Sequence, residues 1–229
     1  MKKMLIVAGL LCAFCTGSQA GDEFFSTKKS EEGTKAELRA GLTVSQMVAV
    51  ESGASTKGYR RLGYNVGIIV ETPIVESLAF QTGLQFVQKG LKEETSISGT
   101  LTESISNPSY LELPLLASYR HDFRKKIRLQ VNTGPFLAMG LFGKMKLRQE
   151  DAQGNMYTVG EVDWFGSAAD TQSAQFKRFD MGWHVGARLR FANKISVGYA
   201  FEAGFVDTGR STTYSVKTRS HLVNLGFTL

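Results

Sequence analysis

The residues of this chain best suited to acid–base chemistry are three histidines, His121, His184 and His221. They are far apart, and no HExxH, paired-histidine metal spacing, GxSxG or glycine-rich phosphate loop accompanies them. His184 is the most suggestive, because Asp180 and Arg188 share its alternation face. The reading adopted is a polar side chain filling an interior. A rim-located enzyme acting on lipids would need Ser, His and Asp gathered at one end, and the sequence has no such cluster. The only cysteines, Cys12 and Cys15, fall in the first twenty residues. Without them, disulfides, thiolate metal sites and a cysteine nucleophile are excluded. No cofactor, metal or enzymatic activity is expected.

Those first twenty residues read as a cleaved signal peptide. Met1-Lys2-Lys3 is a basic start, Met4 to Phe14 is apolar, and Ser18-Gln19-Ala20 fits a small-x-small cleavage pattern. The apolar run is too short to span a bilayer. Residues 21–35, polar and rich in Ser, Thr, Lys and Glu, read as a flexible lead-in. Residues 36–229 are left as one domain.

The whole chain has 229 residues, 42% hydrophobic and 21% charged, with 24 Gly and 4 Pro. Its mean hydropathy of −0.12 argues against a multi-helix membrane protein, and its apolar content against disorder. Without Lys2 and Lys3, 25 basic side chains face 21 acidic ones. That bias is weak and forms no basic run, so nucleic acid is not an expected partner.

From Ala36 onward the pattern has period two, the mark of strands with unlike faces. Eight runs show it: 36–47, 61–71, 77–88, 110–120, 127–136, 179–191, 195–206 and 220–229. In the run 179–191, for example, Phe179, Met181, Trp183, Val185, Ala187, Leu189 and Phe191 alternate with Asp180, Gly182, His184, Gly186, Arg188 and Arg190. Each run is close to the roughly 9–11 residues that cross a bilayer at a tilt. The connections alternate in length. The second, fourth and sixth are short, whereas the first, third, fifth and seventh are longer and polar, and the fifth (about 138–178) loses its strand pattern past Gly143. In an up-and-down barrel that sorting puts all turns at one end and all loops at the other, as in outer-membrane barrels.

Three features place the apolar set outside. The polar sets are rich in glycine, which a narrow interior needs. They carry both charge signs, in Arg39, Arg61, Glu71, Glu112, Arg128, Asp180, His184, Arg188, Arg190 and Glu202, an expected lumen polar network. The apolar sets carry aromatics near strand ends, as interfacial girdles do. Pro114 and Pro135 lack an amide hydrogen and are expected at a bulge or near a rim. Eight strands enclose a lumen that side chains can fill, so a diffusion channel is not expected. Trp164 and Phe165, in the fifth connection, are expected either to contact a partner or to fold back on the rim.

The segment Tyr110-Leu111-Glu112-Leu113-Pro114-Leu115-Leu116-Ala117-Ser118-Tyr119 resembles the YLEIPLLLKY strand of the PorT-like outer-membrane β-barrel family. The resemblance extends through Asn132-Thr133-Gly134-Pro135-Phe136 and Gly182-Trp183-His184-Val185-Gly186 to the closing hairpin, although only the first motif is specific. It implies a small outer-membrane barrel, in a family where some relatives assist a secretion system. The chain ends in Leu229, with Phe227 two residues earlier, where many such barrels end in an aromatic residue.

The sequence is thus identified as an all-β, eight-stranded antiparallel up-and-down transmembrane β-barrel of the bacterial outer membrane, with both termini periplasmic. Its expected role is structural or interactive. The expected partners are outer-membrane lipids, the barrel assembly machinery during insertion, and other envelope or secretion-system proteins. Two other readings remain open at this level: a rim-located lipid-modifying enzyme, and a soluble exported barrel binding an apolar ligand.

Overall fold

The computed structural model describes residues 25–229 apart from 52–53, 58, 98–99, 124–125, 152, 167–172, 193 and 210–214. The expected signal peptide, residues 1–20, lies outside the described residues. The strands are β1 (Lys35–Glu51), β2 (Ala54–Lys57), β3 (Arg61–Val75), β4 (Leu78–Gln88), β5 (Leu91–Ile97), β6 (Thr100–Ser106), β7 (Ser109–Phe123), β8 (Ile127–Phe142), β9 (Lys144–Glu150), β10 (Met156–Phe165), β11 (Ser173–Phe176), β12 (Phe179–Phe191), β13 (Ile195–Gly204) and β14 (Ser215–Thr228).

Eight of them pair antiparallel in the order β14-β13-β12-β8-β7-β4-β3-β1. The sheet closes through β1 and β14, in register from Glu37–Thr228 to Val50–Ser215. Closure leaves no edge whose amides would be stranded in hydrocarbon. The eight alternating runs of the sequence are these eight strands.

The apolar set faces outward: Leu38, Leu42, Tyr64, Val66, Ile68, Leu84, Val185, Tyr199, Val223 and Leu225 are exposed. The polar set is buried, including Arg39, Glu71, Gln81, Glu112, Gln130, Asp180, Arg190 and Glu202. This inversion overturns the apolar-ligand carrier, which needs a greasy interior. Aromatics ring both ends of the wall. At the turn end stand Phe80, Phe123, Phe191 and Phe227, and at the loop end Tyr64, Phe179 and Phe205. Tyr64 stacks on Phe86 there at 5.8 Å, and Phe86 meets the tilted ring of Phe142 at 6.0 Å. Phe179 and Phe191 lie about 40 Å apart along β12, or about 30 Å along a tilted barrel's axis, which matches a bilayer core. The indole of Trp183, on this wall, donates to Thr133 Oγ1 at 2.9 Å, so its N–H is satisfied without water.

The structure departs from the sequence reading in three places. First, six of the eight barrel strands run to 13–17 residues, longer than a membrane crossing needs. The third and fifth connections are not plain loops. Their hairpins β5–β6 and β9–β10, with β11, form one five-stranded sheet in the order β11-β10-β9-β6-β5. Their strands are rich in Ser, Thr, Lys and Glu, and only short stretches such as Lys144-Met145-Lys146-Leu147-Arg148 alternate in hydrophobicity.

Second, Pro114 and Pro135 are in mid-strand, neither at a bulge nor at a rim. Pairing of β4 with β7 skips from Thr82–Leu115 to Gln85–Glu112, and that of β7 with β8 skips from Pro114–Phe136 to Ala117–Thr133. In both places the register is kept and two rungs are omitted. A missing N–H is absorbed by opening the ladder locally.

Third, residues 25–34 of the expected flexible lead-in are docked across the turn end. Ser26 N donates to Ser77 Oγ at 2.7 Å, and Ser26 Oγ also meets Glu76. Glu76 N donates to Lys28 O at 2.9 Å, and Lys29 bridges Val75.

Candidate functional site

Among the described residues, the lumen is where this fold gathers reactive side chains from all round the wall. Its period-two polar faces converge there, in two charge clusters separated by neutral polar side chains. Near the turn end, Glu37 sits among three arginines: Arg39 Nε at 2.6 Å, and Arg188 and Arg190 at 3.0 Å each. Arg190 continues to Glu71 at 3.3 Å, and Arg120 lies 3.5 Å from the same carboxylate. Gln81 bridges Arg39 (3.2 Å) to Glu71 (2.7 Å), Gln130 also donates to Glu71, and Arg188 donates to Ser196 at 2.8 Å. Four arginines here meet two lumen carboxylates.

Nearer the loop end the balance reverses. Lys89, fully buried, reaches Glu112 at 2.6 Å and Asp180 at 3.8 Å. Its ammonium also lies over the rings of Phe136 (4.8 Å) and Tyr110 (5.3 Å). Glu202 meets His184 Nδ1 at 2.9 Å, and Thr218 donates to Asp180 at 2.7 Å. One ammonium and one imidazole face three carboxylates here. Between the clusters, Asn65 donates to Thr43 at 3.0 Å and Ser118 to Asn132 at 2.8 Å.

Aromatic side chains cap this layer. Trp164 and Phe165 take the second of their two expected courses and fold inward, as buried residues of β10. They are therefore not exposed contacts for a partner. Trp164 stacks on Phe176 at 3.8 Å, Phe165 meets Tyr110 edge-on at 5.6 Å, and Arg178 lies 5.2 Å from the Phe165 ring. Together with Met47, Leu91, Phe136, Ala138 and Val216 they form an apolar core at the loop end. Two glycines make room: a side chain at Gly140 would collide with the Phe165 ring, and one at Gly182 would meet Phe136 at 2.6 Å.

The lead-in lies across the other end. Glu32 pairs with both guanidinium nitrogens of Arg128 at 2.7 Å each, and with Arg120 at 3.1 Å. Arg128 also holds Asp122 at 2.6 Å. Hydrogen bonding from Arg128 holds the Glu32 carboxyl down at about 2, against an ordinary 4.5, although partial burial opposes it. A carboxyl depressed in the folded state stabilises it fully above its unfolded pKa and ceases to as pH falls through the folded value. Docking of residues 26–34 is therefore expected to hold at neutral pH and to weaken between about pH 5 and pH 2. Hydrogen-exchange protection factors across that range measure it. In Glu32→Gln the protection should be low and flat, and a wild-type profile flat down to pH 2 would contradict the assignment.

Of the network residues expected from sequence, Arg39, Glu71, Arg188 and Arg190 join the first cluster, and Glu112, Asp180, His184 and Glu202 the second. Two do not join. Arg61, half-buried at the loop-end mouth, lays its alkyl chain against Gly90. Arg128 is committed to Glu32 and Asp122 at the opposite mouth. Sequence reasoning missed Glu37, Lys89, Arg120 and Glu32. Glu37 and Arg120 lie on the polar faces of alternating runs, so their direction was legible. Lys89 stands one residue past the end of β4, and Glu32 in a segment without periodicity. No group of three or more metal-ligating side chains is assembled among the described residues.

Solved structures similar to this chain include Ail, the attachment invasion locus protein of Yersinia pestis (13% identity, 86% of this chain and all of that one, TM-score 0.40). OprG from Pseudomonas aeruginosa is similar at 10% identity over 88% and 99% (TM-score 0.42). Neisserial surface protein A is similar at 13% over 86% and 99% (TM-score 0.37). No curated protein matches. A family model, "Outer membrane protein beta-barrel domain", matches residues 25–210. The chain belongs to that family of outer-membrane β-barrels.

Proposed function

We propose that this outer-membrane barrel is a sealed structural or docking element, neither a diffusion pore nor an enzyme. The observation that carries this reading is the filling of the lumen at every level: lead-in, arginine cluster, neutral polar layer, acidic cluster and aromatic cap. In this reading the five-stranded sheet projects outside the cell and both termini lie in the periplasm. The sheet, or the turn-end surface with its docked lead-in, engages other envelope proteins. The Tyr110–Tyr119 motif supports a PorT-like placement within the family, and through it a partner among secretion-system proteins. Insertion by the barrel assembly machinery and a lipid annulus follow from the fold class.

The test is conductance in a planar bilayer with the purified, refolded chain. Brief or no current is expected. Large, stable open-channel currents would overturn the sealed reading. Labelling a cysteine placed at Gln153, in the β9–β10 turn, on intact cells tests the orientation separately.

A further inference from the structure

The lipid-facing wall is free of formal charge almost everywhere. Among the described outward positions of the eight barrel strands, only Lys217 and Arg219, both on β14 and both exposed, carry one. By contrast, every basic side chain of the projecting five-stranded sheet has an acidic partner. Lys144 and Lys146 share Glu161, Lys92 binds Glu94 and Glu103, and Arg148 binds Glu103. Among the described residues, no ion pair or hydrogen bond engages the side chains of Lys217, Arg219 or exposed Arg60. The nearby Asp207 carboxylate accepts from the backbone amides of Gly209 and Val216.

Register brings the three cations together. Arg219 is paired with Gln46 of β1, and Lys217 with Val48. Arg60 precedes Arg61, which pairs with Ser45, so it stands level with Gln46 on the other side of β1. Opposed residues are about 5 Å apart across each strand pair, and alternate ones about 7 Å apart along a strand. The three heads thus share a patch that one or two phosphate groups can span. Directly below are Val44, Leu62 and His221, the last held by the Tyr199 hydroxyl at 2.7 Å. Below that row are Leu42, Val223 and Tyr64. Unpaired cations above an aromatic and aliphatic wall match a molecule whose anionic head sits over apolar chains.

We propose that Arg60, Lys217 and Arg219 form a binding site for the phosphate groups of a membrane lipid, whose acyl chains lie along β14, β1 and β3. The proposal rests on membrane insertion but not on the sealed lumen or the orientation of the termini.

The full chain in neutral-detergent micelles is titrated with bisphosphorylated lipid A, with dephosphorylated lipid A and inorganic phosphate as the other arms. Binding is read by native mass spectrometry. Each cation near an anionic headgroup is worth about fivefold, so R60Q/K217Q/R219Q should lose about 100-fold in affinity for the phosphorylated lipid. The turn-end control K126Q/K194Q should stay within about twofold. Heat-modifiable gel migration confirms folding of each variant, and R219K alone should retain most of the binding. Equal affinity of the triple variant and wild type overturns the site. Equal binding of dephosphorylated lipid A overturns the phosphate contact, and equal binding of inorganic phosphate overturns the lipid as its occupant.

Discussion

Replacing Glu37 with glutamine is expected to destabilise the barrel by about 3–5 kcal/mol, the range for removing one partner of a buried ion pair. The carboxylate is the common counter-charge of Arg39, Arg188 and Arg190, all within 3.0 Å of it. Glutamine keeps the shape and one acceptor but leaves the three cations facing one another. The cluster already holds more arginines than carboxylates, so Arg188→Gln should cost much less, because it moves the cluster towards balance. Combining Glu37→Gln with Arg188→Gln should recover part of the loss. Urea unfolding in lipid vesicles, followed by the heat-modifiable gel shift, measures all three. Equal losses for Glu37→Gln and Arg188→Gln would show that the excess of positive charge does not govern this layer.

Lys89→Met should produce a loss of similar size, about 3–5 kcal/mol, from the opposite sign of imbalance. Methionine fills much of the same volume, so the effect reports charge rather than a cavity. What it leaves behind is buried Glu112 and Asp180 without their cation, beneath the aromatic cap. The ring contacts to Phe136 and Tyr110 go as well, and desolvated cation–π contacts are worth up to about 2 kcal/mol. Glu112→Gln, which reduces the acidic excess, should cost less than Lys89→Met, and the double substitution should cost less than Lys89→Met alone. The same vesicle assay applies. A Lys89→Met barrel as stable as wild type would mean that the ammonium does not anchor the acidic cluster.

Both predictions concern contacts that the sequence only half disclosed. Alternation in β12 placed Arg188 and Arg190 on the inner face, and the partner of Arg190, Glu37, is 153 residues away. Nothing near either residue signals the other. The Tyr110–Tyr119 motif was legible as a strand, and its inward side chains Tyr110 and Glu112 turn out to bracket Lys89. Lys89 itself lies beyond the alternating run and carries no mark of an interior role. Trp164 and Phe165 were conspicuous in an otherwise polar connection, yet their direction depended on space opened by Gly140 on another strand.

Strand number, the inside-out face assignment and the division into a turn end and a loop end were all readable from the residues. In an extended chain successive side chains must point to opposite sides, so a local rule carries that information along the backbone. Which charges meet inside, how the polar connections form a second sheet, and how residues 25–34 cover the turn end required the folded molecule. Those contacts depend on stagger between distant strands and on closure of the cylinder, and no local pattern encodes either.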